Sequence, residues 1–145
     1  MQRIYTIPFS FVELEPKNYH IICRGKVNDK AVRLVIDTGA SHSCFDVNFI
    51  TSVIQDCELE ENDGLNAAIG GSDFKSQLAV LSQFKLCRFK KENYQVVLID
   101  LSNINEAYKS LKRPEIQGIL GSDFLREYGA VIDYTSCKMI LRKMI

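Results

Sequence analysis

The stretch that most restricts what this chain can become is Leu34-Val35-Ile36-Asp37-Thr38-Gly39-Ala40-Ser41. The run Ala31–Ile36 is rich in Val, Ile and Leu and reads as a buried strand. It stops abruptly on a carboxylate. An acid at the end of a buried strand is costly unless neighbours hydrogen-bond it or share its proton. Gly39 lets the backbone turn tightly, and its amide can approach the acid with no side chain between them. An acid fixed in this way suits general acid–base work, because its surroundings set its proton affinity. The triplet Asp-Thr-Gly recurs by chance in chains of ordinary composition, so its context carries the weight.

Upstream, residues 2–14 alternate (Ile4, Thr6, Pro8 against Tyr5, Ile7, Phe9) and read as an extended N-terminal arm, with Pro8 suited to an edge or bulge. Tyr19–Val27 and Lys30–Ile36 flank the turn signal Asn28-Asp29, a hairpin that delivers Asp37 at its end. Downstream, Asp46 caps a short helix carrying Phe49, Ile50, Val53 and Ile54 on one face. Residues 56–63 form an acidic loop; a calcium loop would need a Gly where Glu61 stands. Leu65–Leu86 reads as two extended segments around Ile69-Gly70-Gly71-Ser72, a hairpin tip. Tyr94–Asp100 is a further strand. The pattern Ile104, Ala107, Tyr108, Leu111 predicts a helix over 103–112, capped by Asn103 with Glu106 and stopped by Pro114. Ile116–Leu120 reads as a short buried strand, and Ser122 as the cap of a helix carrying Phe124, Leu125 and Tyr128. Two closing strands, Ala130–Tyr134 and Lys138–Arg142, meet at a Thr-Ser turn. The class is mainly β with two or three short helices.

The chain has 145 residues, 46% of them hydrophobic, enough for one domain with a sizeable core. Its 18 basic and 18 acidic residues balance, and no basic run offers phosphate neutralisation, so no nucleic-acid partner is expected. No stretch resembles a signal peptide or a membrane span, which points to a cytoplasmic protein with no membrane partner. Five cysteines without Cys-x-x-Cys spacing argue for isolated thiols, not a disulfide framework or a zinc site.

Taken together, three ordered motifs resemble the retropepsin-like aspartic proteases. Val35-Ile36-Asp37-Thr38-Gly39-Ala40-Ser41 resembles their active-site loop, Ile69-Gly70-Gly71 the tip of their flap, and Gly118-Ile119-Leu120-Gly121-Ser122-Asp123-Phe124-Leu125 their third landmark. Ala130–Arg142 resembles their closing strands, so the likeness runs from about residue 18 to the C-terminus. It implies a closed retropepsin-like (acid protease) β-barrel over residues 1–145, with the arm over about 1–17. It implies catalysis by Asp37 with Thr38 and Gly39, and substrate contacts from Ala40, Ile69, Gly70 and Gly71. No metal or cofactor is implied. The substrate would be an extended peptide under the flap. Compared with compact viral members, this chain is longer, carries an additional helix near 103–112 and sets its flap tip further from the aspartate.

The family mechanism uses two aspartates, and this sequence has no second Asp-Thr-Gly or Asp-Ser-Gly. Asp123 and Asp133 lack the following Gly. The resemblance therefore implies a two-fold symmetric homodimer with one Asp37 from each copy. Ala40, where pepsin-like relatives often carry Ser, offers no hydroxyl to the acid, so an optimum less acidic than pepsin's is expected. Two other readings stand beside this one. Ser41 and His42 next to Asp37 supply the residue types of a hydrolytic triad, but no Gly-x-Ser-x-Gly elbow accompanies them; His42 with Cys44 is a similarly poor thiol site. The rival of a different class is a catalytically silent retropepsin fold serving dimerisation or peptide binding.

Overall fold

The computed structural model describes residues 1–54, 60–61 and 77–145. Its centre is the hairpin expected from sequence, β2 (Asn18–Val27) with β3 (Lys30–Ile36). Asn28 and Asp29 turn it with φ of 47° and 70°, a left-handed pair whose twist matches the flanking strands and which short polar residues tolerate. Both faces of β3 are covered. Val32, Leu34 and Ile36 enter the main core, and Val35 joins Ile22 in a second apolar cluster on the opposite face.

The N-terminal residues are extended, as expected, and paired along their length. They form β1 (Gln2–Glu15), antiparallel to β10 (Lys138–Met144) over its first half and to β2 over its second. Pro8 sits where β1 changes partner: it is opposite Lys138, and Phe9 N–H then donates to Cys137 O and pairs with Cys23. A proline that cannot donate fits that changeover.

The chain leaves β3, rounds a loop over 37–43 and returns as β4 (Cys44–Asp46), which the sequence did not announce. Between β3 and β4 lies β8 (Gly118–Leu120), parallel to β3 and antiparallel to β4. On its far side β4 runs parallel to β7 (Phe89–Ile99), which pairs with β6 (Gln77–Leu86). β6 meets β2 through Lys26↔Lys85 and Val27↔Phe84. The order β2-β3-β8-β4-β7-β6 therefore closes on itself as a six-stranded barrel. β5 (Glu60–Glu61) extends β6, while β1, β10 and β9 (Val131–Asp133) extend β2 outward. The architecture is mainly β with a closed barrel, as expected. The tip Ile69-Gly70-Gly71 and most of the acidic loop lie outside the described residues.

Among the described residues there are three short helices: α1 (Val47–Val53), α2 (Ser102–Ser110) and α3 (Ser122–Glu127). None is long and apolar enough to cross a membrane. Asp46 caps α1 as expected, its Oδ1 accepting from Asn48 N at 3.3 Å and from Leu101 N at 3.2 Å. The expected cap of α2 is corrected: Asn103 lies inside the helix. Asp100 holds its first turn instead, accepting from Ser102 N at 2.9 Å and from Ser102 Oγ. Its buried face is also not purely apolar. Asn105 is buried with Tyr108 while Leu111 stays exposed, because the Asn105 amide accepts from Ile116 N at 2.7 Å and donates to Ile116 O at 2.9 Å, standing in for a strand. Ser122 is likewise the first helical residue of α3, with Gly121 as its cap.

Candidate active site

Asp37 follows the last residue of β3 and is exposed in a single chain, as are Thr38 and Gly39. This corrects the expectation of a carboxylate taken out of water: the buried strand ends at Ile36, and the loop carries the acid outward. Gly39 N donates to Asp37 Oδ1 at 2.9 Å, and among the described residues no other group bonds that carboxylate. A Cβ on Gly39 would stand 3.3 Å from the same oxygen, so the bare backbone matters here through close approach. Ser41 and His42 are exposed and make no bond to Asp37, so no triad forms. Cys44 is buried, and burial pushes its thiol up to about 12, which removes it as a thiolate partner for His42.

The loop's backbone is fastened to β8 and α3. Asp37 N donates to Leu120 O at 2.9 Å, Ala40 N to Asp37 O at 3.2 Å, and Ser122 N to Ala40 O at 2.7 Å. Asp123 anchors the far end. Its carboxylate accepts from Ser43 N at 3.0 Å and from Ser43 Oγ at 2.6 Å, and also from Phe124 N at 2.7 Å. Ser43 Oγ in turn accepts from Gly121 N at 2.8 Å. Gly121 is required by space: a Cβ there would lie 2.6 Å from Ala40 O and 2.9 Å from His42 C. In the sequence Asp123 lacks a following Gly and carries no expected role. The one signal that could have found it is an acid in the first turn of a helix that follows an obligatory glycine.

Two cavities flank the loop. The larger, about 490 Å³, has Asp37 and Thr38 in its wall with Val35, Ile119, Ile132 and Tyr134. His20 lines it too, its Nδ1 hydrogen-bonded at 2.6 Å to the hydroxyl of the buried Tyr108 on α2. The smaller, about 290 Å³, is formed by Gly39, Ala40, Ser41, His42, Cys44, Val97, Ile99 and Ile119. Of the residues expected at the site, Asp37, Thr38, Gly39 and Ala40 are thus brought together; Ile69, Gly70 and Gly71 lie outside the described residues. Sequence reasoning missed His20, Ile132 and Tyr134, which carry no local signal.

The sequence and the fold both have known counterparts. The family model described as Aspartyl protease matches residues 23–124, from β2 to the first turn of α3. The chain belongs to that family. Among solved structures, a retropepsin-like aspartic protease from Rickettsia conorii superposes with a TM-score of 0.57 at 14% identity, over 98% of this chain and 92% of the other. The retroviral protease-like domain of Ddi1 from Leishmania major gives 0.51 at 12% identity, over 79% and 81%. At such identities the likeness is one of fold. No curated protein matches the sequence.

Proposed function

We propose that this member of the aspartyl protease family is an aspartic endopeptidase that works as a homodimer, each copy contributing one Asp37. The observation that carries the reading is the loop itself: one exposed carboxylate, pinned by Gly39 N at 2.9 Å, at the junction of two cavities. Two such acids brought to about 3 Å across a two-fold axis cannot both ionise readily and share one proton. The ionised member takes a proton from a water whose oxygen attacks the peptide carbonyl carbon. The protonated member gives its proton to the carbonyl oxygen. Collapse of the tetrahedral intermediate breaks the C–N bond, and the departing amine takes up a proton from the pair.

The cavities on either side of the loop suit side chains of an extended peptide flanking the scissile bond, with Ala40 and Gly39 in the wall of the smaller one. Asp37→Asn is expected to lower cleavage of a mixed peptide library about 10⁴-fold, with the melting temperature unchanged because the side chain is exposed. Retained turnover by the pure variant would refute the mechanism. A folded, dimeric wild type that cleaves nothing in the library would instead mark a silent peptide-binding module.

A further inference from the structure

We infer that a notch on the outer face of the barrel, lined by Arg24, Lys26, Lys85 and Cys87, is a docking site for an acidic peptide segment of another protein, separate from the Asp37 loop. The notch follows from strand pairing. β1 covers one edge of β2 from Asn18 to Cys23, while its earlier residues pair with β10. β6 takes up that same edge only at Lys26. Arg24 and Gly25 lie in the gap between them. Two cavities of about 320 Å³ each open there and share Arg24 and Cys87. Pro8, Phe9 and Ile22 give the first an apolar floor, and Lys26 and Lys85 make the second basic. Neither shares a residue with the two cavities at the Asp37 loop.

Charge around the notch is segregated at a cost to the fold. Arg24 stands directly opposite Arg33, Lys26 opposite Lys85, and Lys85 opposite Lys90. Residues so paired share a face, and like charges in that position destabilise a sheet. Five of the chain's 18 basic residues thus crowd one face of a molecule whose net charge is zero. No acid compensates them: among the described residues the one ion pair joins Lys91 to Glu127, and the buried Nε of Arg33 has no partner. An anionic ligand relieves such repulsion, which adds to its affinity and its rate of encounter. Charge and shape select the occupant. Guanidinium and ammonium groups bond carboxylates strongly, and the apolar floor accepts an aliphatic side chain beside them. Alternate residues of an extended peptide lie about 7 Å apart, as do Arg24 and Lys26 along β2, so successive acidic side chains meet them in turn. Nucleic-acid bases need an exposed aromatic face to stack on, and the one ring lining the notch, Phe9, is 7% exposed.

The test is fluorescence anisotropy of a labelled extended peptide, one half glutamate and serine and the other half leucine and serine, with wild type, Asp37→Asn, Arg24→Glu and Lys85→Glu. Asp37→Asn removes the proposed chemistry, so the probe survives, and it is expected to bind like wild type. Arg24→Glu and Lys85→Glu are each expected to bind about 10-fold more weakly or worse, as loss of one charge-assisted contact does. Affinity should fall as salt rises, and alkylation of Cys87, read by mass spectrometry, should slow when the peptide is bound. Lys85→Glu also places an acid between Lys26 and Lys90, so its urea midpoint is expected to rise, which separates lost binding from lost folding. If Arg24→Glu fails to fold, Arg24→Gln takes its place. Folded charge variants that bind like wild type overturn the inference. So does equal binding of the same peptide with glutamine for glutamate, or tighter binding of a single-stranded oligonucleotide of equal charge. Binding that disappears in Asp37→Asn would move the peptide to the catalytic loop and overturn the inference too. A wild type that binds the peptide through Arg24 and Lys85 but cleaves nothing leaves the notch standing and removes the protease.

Discussion

The Asp37 loop and the aromatic end of the core, where Phe11 packs against Tyr19 and Tyr134, share a cavity, yet they are built in opposite ways. Directed bonds hold the loop: Leu120 O, Ala40 O and the Asp123 carboxylate each accept from a specific donor at 2.6–3.0 Å. The aromatic end is held by ring packing, which is non-directional and leaves Tyr19 and Tyr134 more than half exposed. A reacting group must be placed to within a fraction of an ångström, and hydrogen bonds fix that position within one chain. Apolar ring packing needs no such precision; it lowers the free energy roughly with the area it covers.

Removing the Asp123 anchor strikes the loop hardest. Asp123→Ala leaves the Ser43 N–H and O–H, at a residue 3% exposed, without their acceptor. A loss of about 3 kcal/mol is expected in urea unfolding, the same at every protein concentration. A loss below about 1 kcal/mol would show that the loop is held by its backbone bonds alone.

At the aromatic end the expected effect is smaller. Tyr19→Ser is expected to cost under about 1 kcal/mol in urea unfolding, since the ring is 52% exposed. A loss as large as that of Asp123→Ala would make this region as firmly held as the loop and erase the comparison.

The smallest effect concerns α2, whose residue Ile104 lines the larger cavity. Bonds from the Ser102 hydroxyl and amide hold the Asp100 carboxyl below the usual carboxylate range, although the group is exposed. A lowered folded-state value stabilises at pH above the unfolded value and is lost as pH falls through the folded one. Asp100→Ala should therefore lower the urea midpoint slightly near neutral pH, with the gap closing below about pH 4. A gap that persists in acid would assign the effect to helix propensity instead.

Much of this molecule could be read before any coordinates. The β2–β3 hairpin, the Asp46 cap and the strand leading to Asp37 depend on residues within about ten positions of each other, and they fall where turn chemistry and apolar patterning put them. The same local logic misplaced the caps of α2 and α3, where an acid one turn away or a neighbouring glycine took the role of the nominated residue. It also shortened β7, since Lys90, Lys91, Glu92 and Asn93 look like a loop, although Phe89 at their head is fully buried.

By itself the sequence determined the family and the single Asp-Thr-Gly, because that strand-end triplet, a later Gly-Ser-Asp and their order are properties of the chain alone. Only the tertiary structure decided that Asp37 is exposed, that Asp123 anchors Ser43 across 80 positions, and that His20 meets Tyr108 across 88. It also decided that Phe11, Tyr19 and Tyr134, drawn from both ends of the chain, form one apolar surface beside the acid. Patterning states which side of a strand is apolar, but which distant strand closes over it is settled by sheet register and barrel closure.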